Sequence, residues 1–362
     1  MEEIAWLLPL AGGLAGILIG AVARASRFCT LAALERCWYA NDASGVRTWV
    51  LVAASALAAT QALAWAGLVD LTDVFYLTPD FGLAGAVLGG LAFGFGMALV
   101  GTCGFGALVR LGGGSLRAFV VLVVLGLSAL AAQRGLIAIL REHAVDRLAI
   151  DLSGAGDQSV GSLVSALAGT DLRLATAAIL VAAALAWVFA DRAYARRGWD
   201  IAAAVTIGCT IAAGWLVTYW FGEWAFHPVQ MEAGSFVVPV GDTLLQFAAF
   251  TGVPPDYGVG MVLGVAIGAA AVAWRRHDVR WEACDDAREL GRHIVGAVLM
   301  GVGGVFALGC TIGQGVSAVS VLAVSAPVVM LSIALGARLG LAYLLEGSVW
   351  GALGRWRGGP AE

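Results

Sequence analysis

Along the chain, apolar runs of about twenty residues alternate with short polar segments that carry nearly all the charge. A bilayer core of about 30 Å needs roughly 20 apolar residues of helix. Nine windows qualify: 4–23, 49–69, 82–102, 118–139, 174–190, 200–221, 258–274, 293–312 and 326–346. The pattern predicts an all-α integral membrane protein, a single transmembrane domain over 1–362. Two runs are too long for one crossing and are interrupted from within. GTCGFG and LGGGS break the stretch from Gly82 to Leu136, and GCTIGQG breaks the stretch from His293 to Leu345. In hydrocarbon an unwound backbone survives only where protein or a water-filled cavity satisfies it. Short re-entrant helices are therefore expected after each cysteine, shaping a waist between two vestibules.

The two interruptions are related. GFGMALVGTCGFG and GVGGVFALGCTIG align at an offset of 207, which puts Gly94 on Gly301, Gly96 on Gly303, Cys103 on Cys310 and Gly106 on Gly313. With nine spans, the two copies cross in opposite directions. Opposed repeats imply a pseudo-two-fold axis in the membrane plane, with a solute handled between the halves. The halves are about 1–172 and 173–362. A weaker echo sets Cys29-Thr30-Leu31-Ala32-Ala33 against Cys209-Thr210-Ile211-Ala212-Ala213 at an offset of 180.

Composition agrees with the membrane reading: the chain is 60% hydrophobic, 13% charged, with a mean hydropathy of +0.88. A soluble domain is nearer half apolar and a quarter charged. Every basic residue is arginine, and their placement sets orientation. Segments on one side hold sixteen, including Arg24, Arg27, Arg36, Arg110, Arg117, Arg355 and Arg357. The other side holds Arg134, Arg141, Arg147 and Arg173, and Arg338 falls within the ninth span. The expected topology is N-terminus outside and C-terminus cytoplasmic. The MEEIAW start reads as a first span rather than a cleavable signal. No basic stripe suggests nucleic acid. No CxxC or clustered histidine suggests a metal, and no P-loop or intramembrane carboxylate relay is evident. No cofactor is expected.

Such a waist offers thiols and backbone N–H groups at helix N-termini. A helix N-terminus attracts anions without a basic side chain, and an uncharged thiol is a weak, polarizable donor. That combination suits a soft, sulfur-bearing anion that must bind briefly and leave. The candidate permeation residues are Cys29, Cys103 and Cys310, with Gly101, Gly104 and Gly309 beside them and Gln314 as an amide donor. Each has a plainer reading: buried cysteine and glycine often serve packing, and Gln314 would equally cap a short helix. Arg27, Arg110 and Arg117 either draw an anion onward or anchor the inner face. Cys37 and Cys284 are taken as incidental, Cys209 as a packing residue, and His227, His277 and His293 as interfacial.

SRFCT, GMALVGTCGFGALVRLGGGSLR, SFVVPVGDTL and GAVLMGVGGVFALGCTIGQGVSAVSVLA together resemble the YeeE/YedE sulfur-transport family, from about Gly13 to Leu345. The resemblance implies an inner-membrane protein of hourglass shape with inverted repeats that takes up thiosulfate. It implies that Cys29, Cys103 and Cys310 pass the ion along by S–H···S contacts. It also implies a small cytosolic sulfur-carrier protein as a partner. The polar outer segment from Arg141 to Asp171 is longer than a connection requires and leaves the solute open. The rival readings are a permease for another small anion, such as selenite or sulfite, and a membrane sulfurtransferase using a persulfidated cysteine.

Overall fold

A computed structural model describes residues 2–224, 229–250, 255–284 and 286–347; His227, Arg355 and Arg357 lie outside them. The chain is an all-α membrane protein. Eight helices of the described residues are long and apolar enough to cross a bilayer. They are α1 (Glu2–Ser26), α3 (Ser44–Trp65), α4 (Leu83–Val100), α6 (Leu116–Arg134), α11 (Gly198–Trp224), α13 (Tyr257–Arg275), α14 (Ala287–Phe306) and α15 (Ser325–Glu346). The fifth expected span is the 17-residue α9 (Arg173–Phe189), shorter than the rest. It lies antiparallel to α3, with Ala177 beside Leu57 and the Trp187 carbonyl bonded by Arg47. Two windows are displaced from their helices. The 118–139 run breaks at Gly135, before α7 (Leu136–Ala144), and the 293–312 run begins earlier and stops at Phe306.

Close backbone approach is what the glycines provide. Helices α1 and α13 run parallel, with Gly12, Gly16 and Gly20 set against Tyr257, Met261 and Val265, and Gly260, Gly264 and Gly268 set against Pro9, Gly13 and Ile17. No side chain fits between them. Among helices in lipid, this small-residue packing replaces the hydrophobic drive available in water. The surface facing outward is apolar instead, with Leu14, Ile179, Ile267, Leu331 and Leu335 exposed. Trp65, Trp187, Trp199, Trp220, Trp224 and Trp274 stand exposed toward helix ends, where amphipathic rings favour the lipid–water boundary. Cys209 belongs to this exposed surface, not to the core as its apolar surroundings suggested: α11 turns that face outward.

The repeat mates α4 and α14 are antiparallel and in contact, with Gly89 against Gly303 and Gly96 against Gly296. Their neighbours exchange accordingly. Gly94 of α4 meets Ile333 of α15, while Gly301 of α14 meets Leu125 of α6. The offset-180 echo has no such counterpart, because Cys29 precedes a helix and Cys209 lies inside one.

The two ends differ in charge. At one end Arg24 pairs with Asp278 at 2.8 Å, and Arg117 pairs with Glu289 at 2.5 Å and Glu282 at 3.4 Å. The other end is covered by the segment after α7. Its strand β2 (Ile150–Asp151) pairs antiparallel with β1 (Asp80–Phe81), and Val160 N–H donates to the Leu322 carbonyl. The long polar segment is thus stitched across two loops, then enters α8 (Val160–Ala168).

Candidate functional site

All three singled-out cysteines stand at the start of a short helix. Cys29 precedes α2 (Thr30–Tyr39) in an extended conformation. Cys103 precedes α5 (Gly104–Gly112), and its sulfur accepts from the Gly106 N–H at 3.5 Å. Cys310 precedes a helix over 311–320, and its sulfur accepts from the Gly313 N–H at 3.4 Å. The same sulfur-to-third-residue cap recurs in both mates, so the similarity of GTCGFG and GCTIG extends to geometry. Gly313–Ala318 of the second helix is wound as a π-helix, a distortion that concentrates at functional sites.

The approach to Cys103 depends on Gly101, which ends α4 with φ of +79°. That left-handed conformation is open to glycine at little cost. Arg110 then donates to the Gly101 carbonyl at 2.9 Å. Gly104 lies against backbone: a Cβ there would come within 2.8 Å of the Phe236 carbonyl oxygen. Phe236 also turns its own N–H toward the Cys310 thiol, as Ser235 does its side chain. Its ring packs on Phe105 at 4.9 Å between centroids. One non-helical segment, Ala233–Val237, therefore lies between the two buried cysteines. Nothing in the spacing of SFVVP marked Ser235 and Phe236 for that place.

Gly309 and Gly313 leave room for the Tyr76 hydroxyl, which a Cβ would meet at 3.4 and 3.0 Å. Gln314 is fully buried, and both ends of its amide are occupied. Nε2 donates to the Ala307 carbonyl at 2.7 Å, and Oε1 accepts from the Ser325 hydroxyl at 3.2 Å. This is the geometry of the capping alternative.

Cys103 and Cys310 are buried, 1% and 0% exposed, whereas Cys29 is half-buried. Cys103 lies within Coulomb reach of both Cys29 and Cys310. A cavity of about 620 Å³ opens from the arginine-bearing end and reaches Cys29, Thr102 and Gly106. Its walls carry Arg24, Arg27, Arg110, Arg276 and Arg280 against the single carboxylate of Asp278. An excess of one sign in a low-dielectric cleft concentrates the opposite ion. Arg27 and Arg110 face this cavity. Arg117 lies in an adjoining cavity of about 190 Å³ that shares Thr102 and Arg110 with the first, its charge matched by Glu282 and Glu289.

The same run of residues matches a family model described as sulphur transport, over residues 25–339. The chain belongs to that family. The YeeE/YedE resemblance of its motifs thus extends over most of its length, and membership places it among transporters rather than enzymes. Two curated relatives are each named thiosulfate transporter TsuA. The protein from Spirochaeta thermophila is 24% identical over 321 residues, covering 87% of this chain and 92% of the relative. The one from Escherichia coli is 25% identical over 317 residues, covering 84% and 86%.

The remaining residues of interest fall away from the waist or at its edge. His277 lines the large cavity, and the Cys284 sulfur lies 3.9 Å from His293 Nδ1. Arg338, the one arginine of α15, places its guanidinium over Trp38 and Tyr39, at 5.3 and 4.9 Å from the ring centres. Contact with the ring faces gives the cation an electrostatic partner away from bulk water.

Proposed function

We propose that this sulphur transport family member takes up thiosulfate across the inner membrane, passing the ion through a waist formed by Cys103 and Cys310. The observation that carries this reading is the shared cap geometry of two buried thiols in antiparallel mates, beside a cavity rich in arginine. The pseudo-repeat halves, about 1–172 and 173–362, meet at that waist. The arginine-bearing end faces the cytoplasm and the N-terminus lies outside. Tyr76 and Ser235 flank Cys310 on the outer side. Cys29 receives the ion at the inner mouth, where the arginines collect it for a small cytosolic sulfur-carrier protein. Gly101, Gly104 and Gly309 shape the path by close approach, and Gln314 holds the Cys310 turn. Lipid contacts the apolar outer face.

The chemistry supports a soft anion. An uncharged thiol offers its proton to the terminal sulfur of thiosulfate weakly enough for release, and the N-termini of the short helices oppose the ion's charge. The test is growth on thiosulfate as the only sulfur source, in cells without other importers. Wild-type chain should restore growth, and Cys103→Ala and Cys310→Ala should abolish it at unchanged membrane abundance. Cys37→Ala and Cys284→Ala should grow normally. Normal growth of both waist variants would remove the relay, and a stable extra sulfur on Cys103 by intact mass would instead support a sulfurtransferase.

A further inference from the structure

Thiosulfate has two chemical faces: one soft sulfur and three hard oxygens. Thiols suit the sulfur, and oxygens need N–H or O–H donors at shorter range. Each cysteine of the waist has a threonine as its chain neighbour: Thr30 after Cys29, Thr102 before Cys103, Thr311 after Cys310. The fold gathers these neighbours around one sulfur. The Thr30 hydroxyl lies 4.0 Å from Cys103 Sγ, and Thr311 turns its side chain toward the same thiol. The Thr102 hydroxyl lies over Gly106, where a Cβ would come within 2.1 Å of it and within 3.8 Å of Cys103 Sγ.

All three threonines are buried, at 5%, 2% and 0% exposure. The Thr102 hydroxyl has no hydrogen-bond partner, and the Thr311 hydroxyl has no oxygen or nitrogen partner, only the Cys103 thiol before it. Buried hydroxyls in helical membrane proteins normally bond the carbonyl one turn back, as Thr210, Thr218 and Thr243 do here. A buried polar group without a partner costs free energy and calls for an explanation. One such group and one that meets only a weakly accepting thiol, each next in the chain to a buried cysteine, leave donor capacity where an ion would pass.

We propose that Thr102 and Thr311, with Thr30 beside them, form the oxygen-binding half of the site, donating to the sulfonate oxygens while Cys103 and Cys310 hold the terminal sulfur. This rests on the uptake reading and adds a specificity element to it. The hydroxyls distinguish a sulfur ion carrying oxygens from one without them. A site built to donate hydrogen bonds discriminates strongly, because its donors stay unpaired with the wrong solute.

The test uses the full chain in proteoliposomes and initial rates of labelled thiosulfate uptake. Thr102→Val and Thr311→Val keep shape and remove the donor, and each should raise KM roughly tenfold, the scale of a lost bond to an anion. Thr102→Ser and Thr311→Ser should return KM to within about threefold of wild type. Thr206→Val, whose hydroxyl already bonds Ala202, should change nothing. Thr→Ala variants, with monodispersity and thermal unfolding followed throughout, replace any valine variant that does not fold. Wild-type KM in the valine variants would overturn the inference, as would an equal loss in valine and serine variants, which marks a packing role. Absence of uptake by the wild-type chain would instead overturn the parent reading.

Discussion

The exchange of partners between the repeat mates makes a quantitative test through glycine. A Cβ at Gly94 would lie 2.0 Å from the Ile333 carbonyl oxygen and 2.8 Å from the Ala337 nitrogen, both backbone atoms that cannot swing aside. Ordinary contact begins near 3.4 Å, so alanine forces α4 and α15 apart by about 1.4 Å. At Gly301 the nearest atom is the Leu125 carbonyl oxygen at 2.5 Å, and α14 and α6 must part by about 0.9 Å. A gap of 0.5–1 Å already forfeits a quarter to a half of a contact's attraction, and overpacking typically costs about 1–3 kcal/mol. The helix gains roughly 0.5–1 kcal/mol from replacing glycine by alanine, which offsets part of the cost. Gly291 on α14 has nothing within 4 Å of its Cβ position, so Gly291→Ala isolates that gain. Thermal unfolding in detergent, read by intrinsic tryptophan fluorescence, should therefore rank Gly94→Ala below Gly301→Ala, wild type next and Gly291→Ala highest. The spread should be on the order of several °C. Gly94→Ala unfolding with Gly291→Ala would refute the close-approach reasoning for α4, and Gly301→Ala doing so would refute it for α14.

Two further outcomes follow from polar groups near the waist. Burial, and then the charge of Asp256, raise the Glu232 carboxyl from its ordinary value to about 8, while its Oε1 accepts from the Gly258 N–H at 3.0 Å. Glu232 lies within electrostatic reach of Tyr76, so its ionisation sets a negative charge beside the proposed anion path. Uptake should be full while the group is protonated and fall as pH rises through about 8; Glu232→Gln should flatten that limb, and an unchanged pH profile would remove the carboxyl from the path. Gln314→Met leaves the Ala307 carbonyl and Ser325 hydroxyl short of a partner, at a cost of roughly 1–3 kcal/mol. It should lower the unfolding temperature with little change in KM, and a large KM rise at unchanged stability would return Gln314 to the solute.

The apolar windows were legible because lipid accepts few alternatives: a backbone in hydrocarbon must satisfy itself as helix. Their edges were less so. Hydropathy continues from Phe306 through Leu308, yet Ala307 leaves the helix and Leu308 takes a φ of +55° to turn the chain into Cys310. Composition cannot mark that turn. Cys103 and Cys310 stood out through repetition, and the structure gives them one capping geometry. Cys209 shows the opposite case, since an apolar neighbourhood reads the same whether lipid or protein covers it.

What escaped the sequence at the site is set by three-dimensional convergence. Ser235 and Phe236 lie more than seventy residues before Cys310, in a segment with no period to read, and reach it only because the non-helical Ala233–Val237 runs between the short helices. The threonines were hidden for another reason. Thr102, Thr206 and Thr311 look alike in the sequence, and only the hydrogen-bond accounting separates the one that bonds its own helix from the two that do not. The breaks in the helices account for the separation: Gly101 turns the chain before Thr102, and Thr311 opens its helix, so neither sits a full turn inside a helix as Thr206 does. The break in the helix that exposes N–H groups to an anion also frees the adjacent hydroxyl, so both donor types at the waist come from the same interruption of the span.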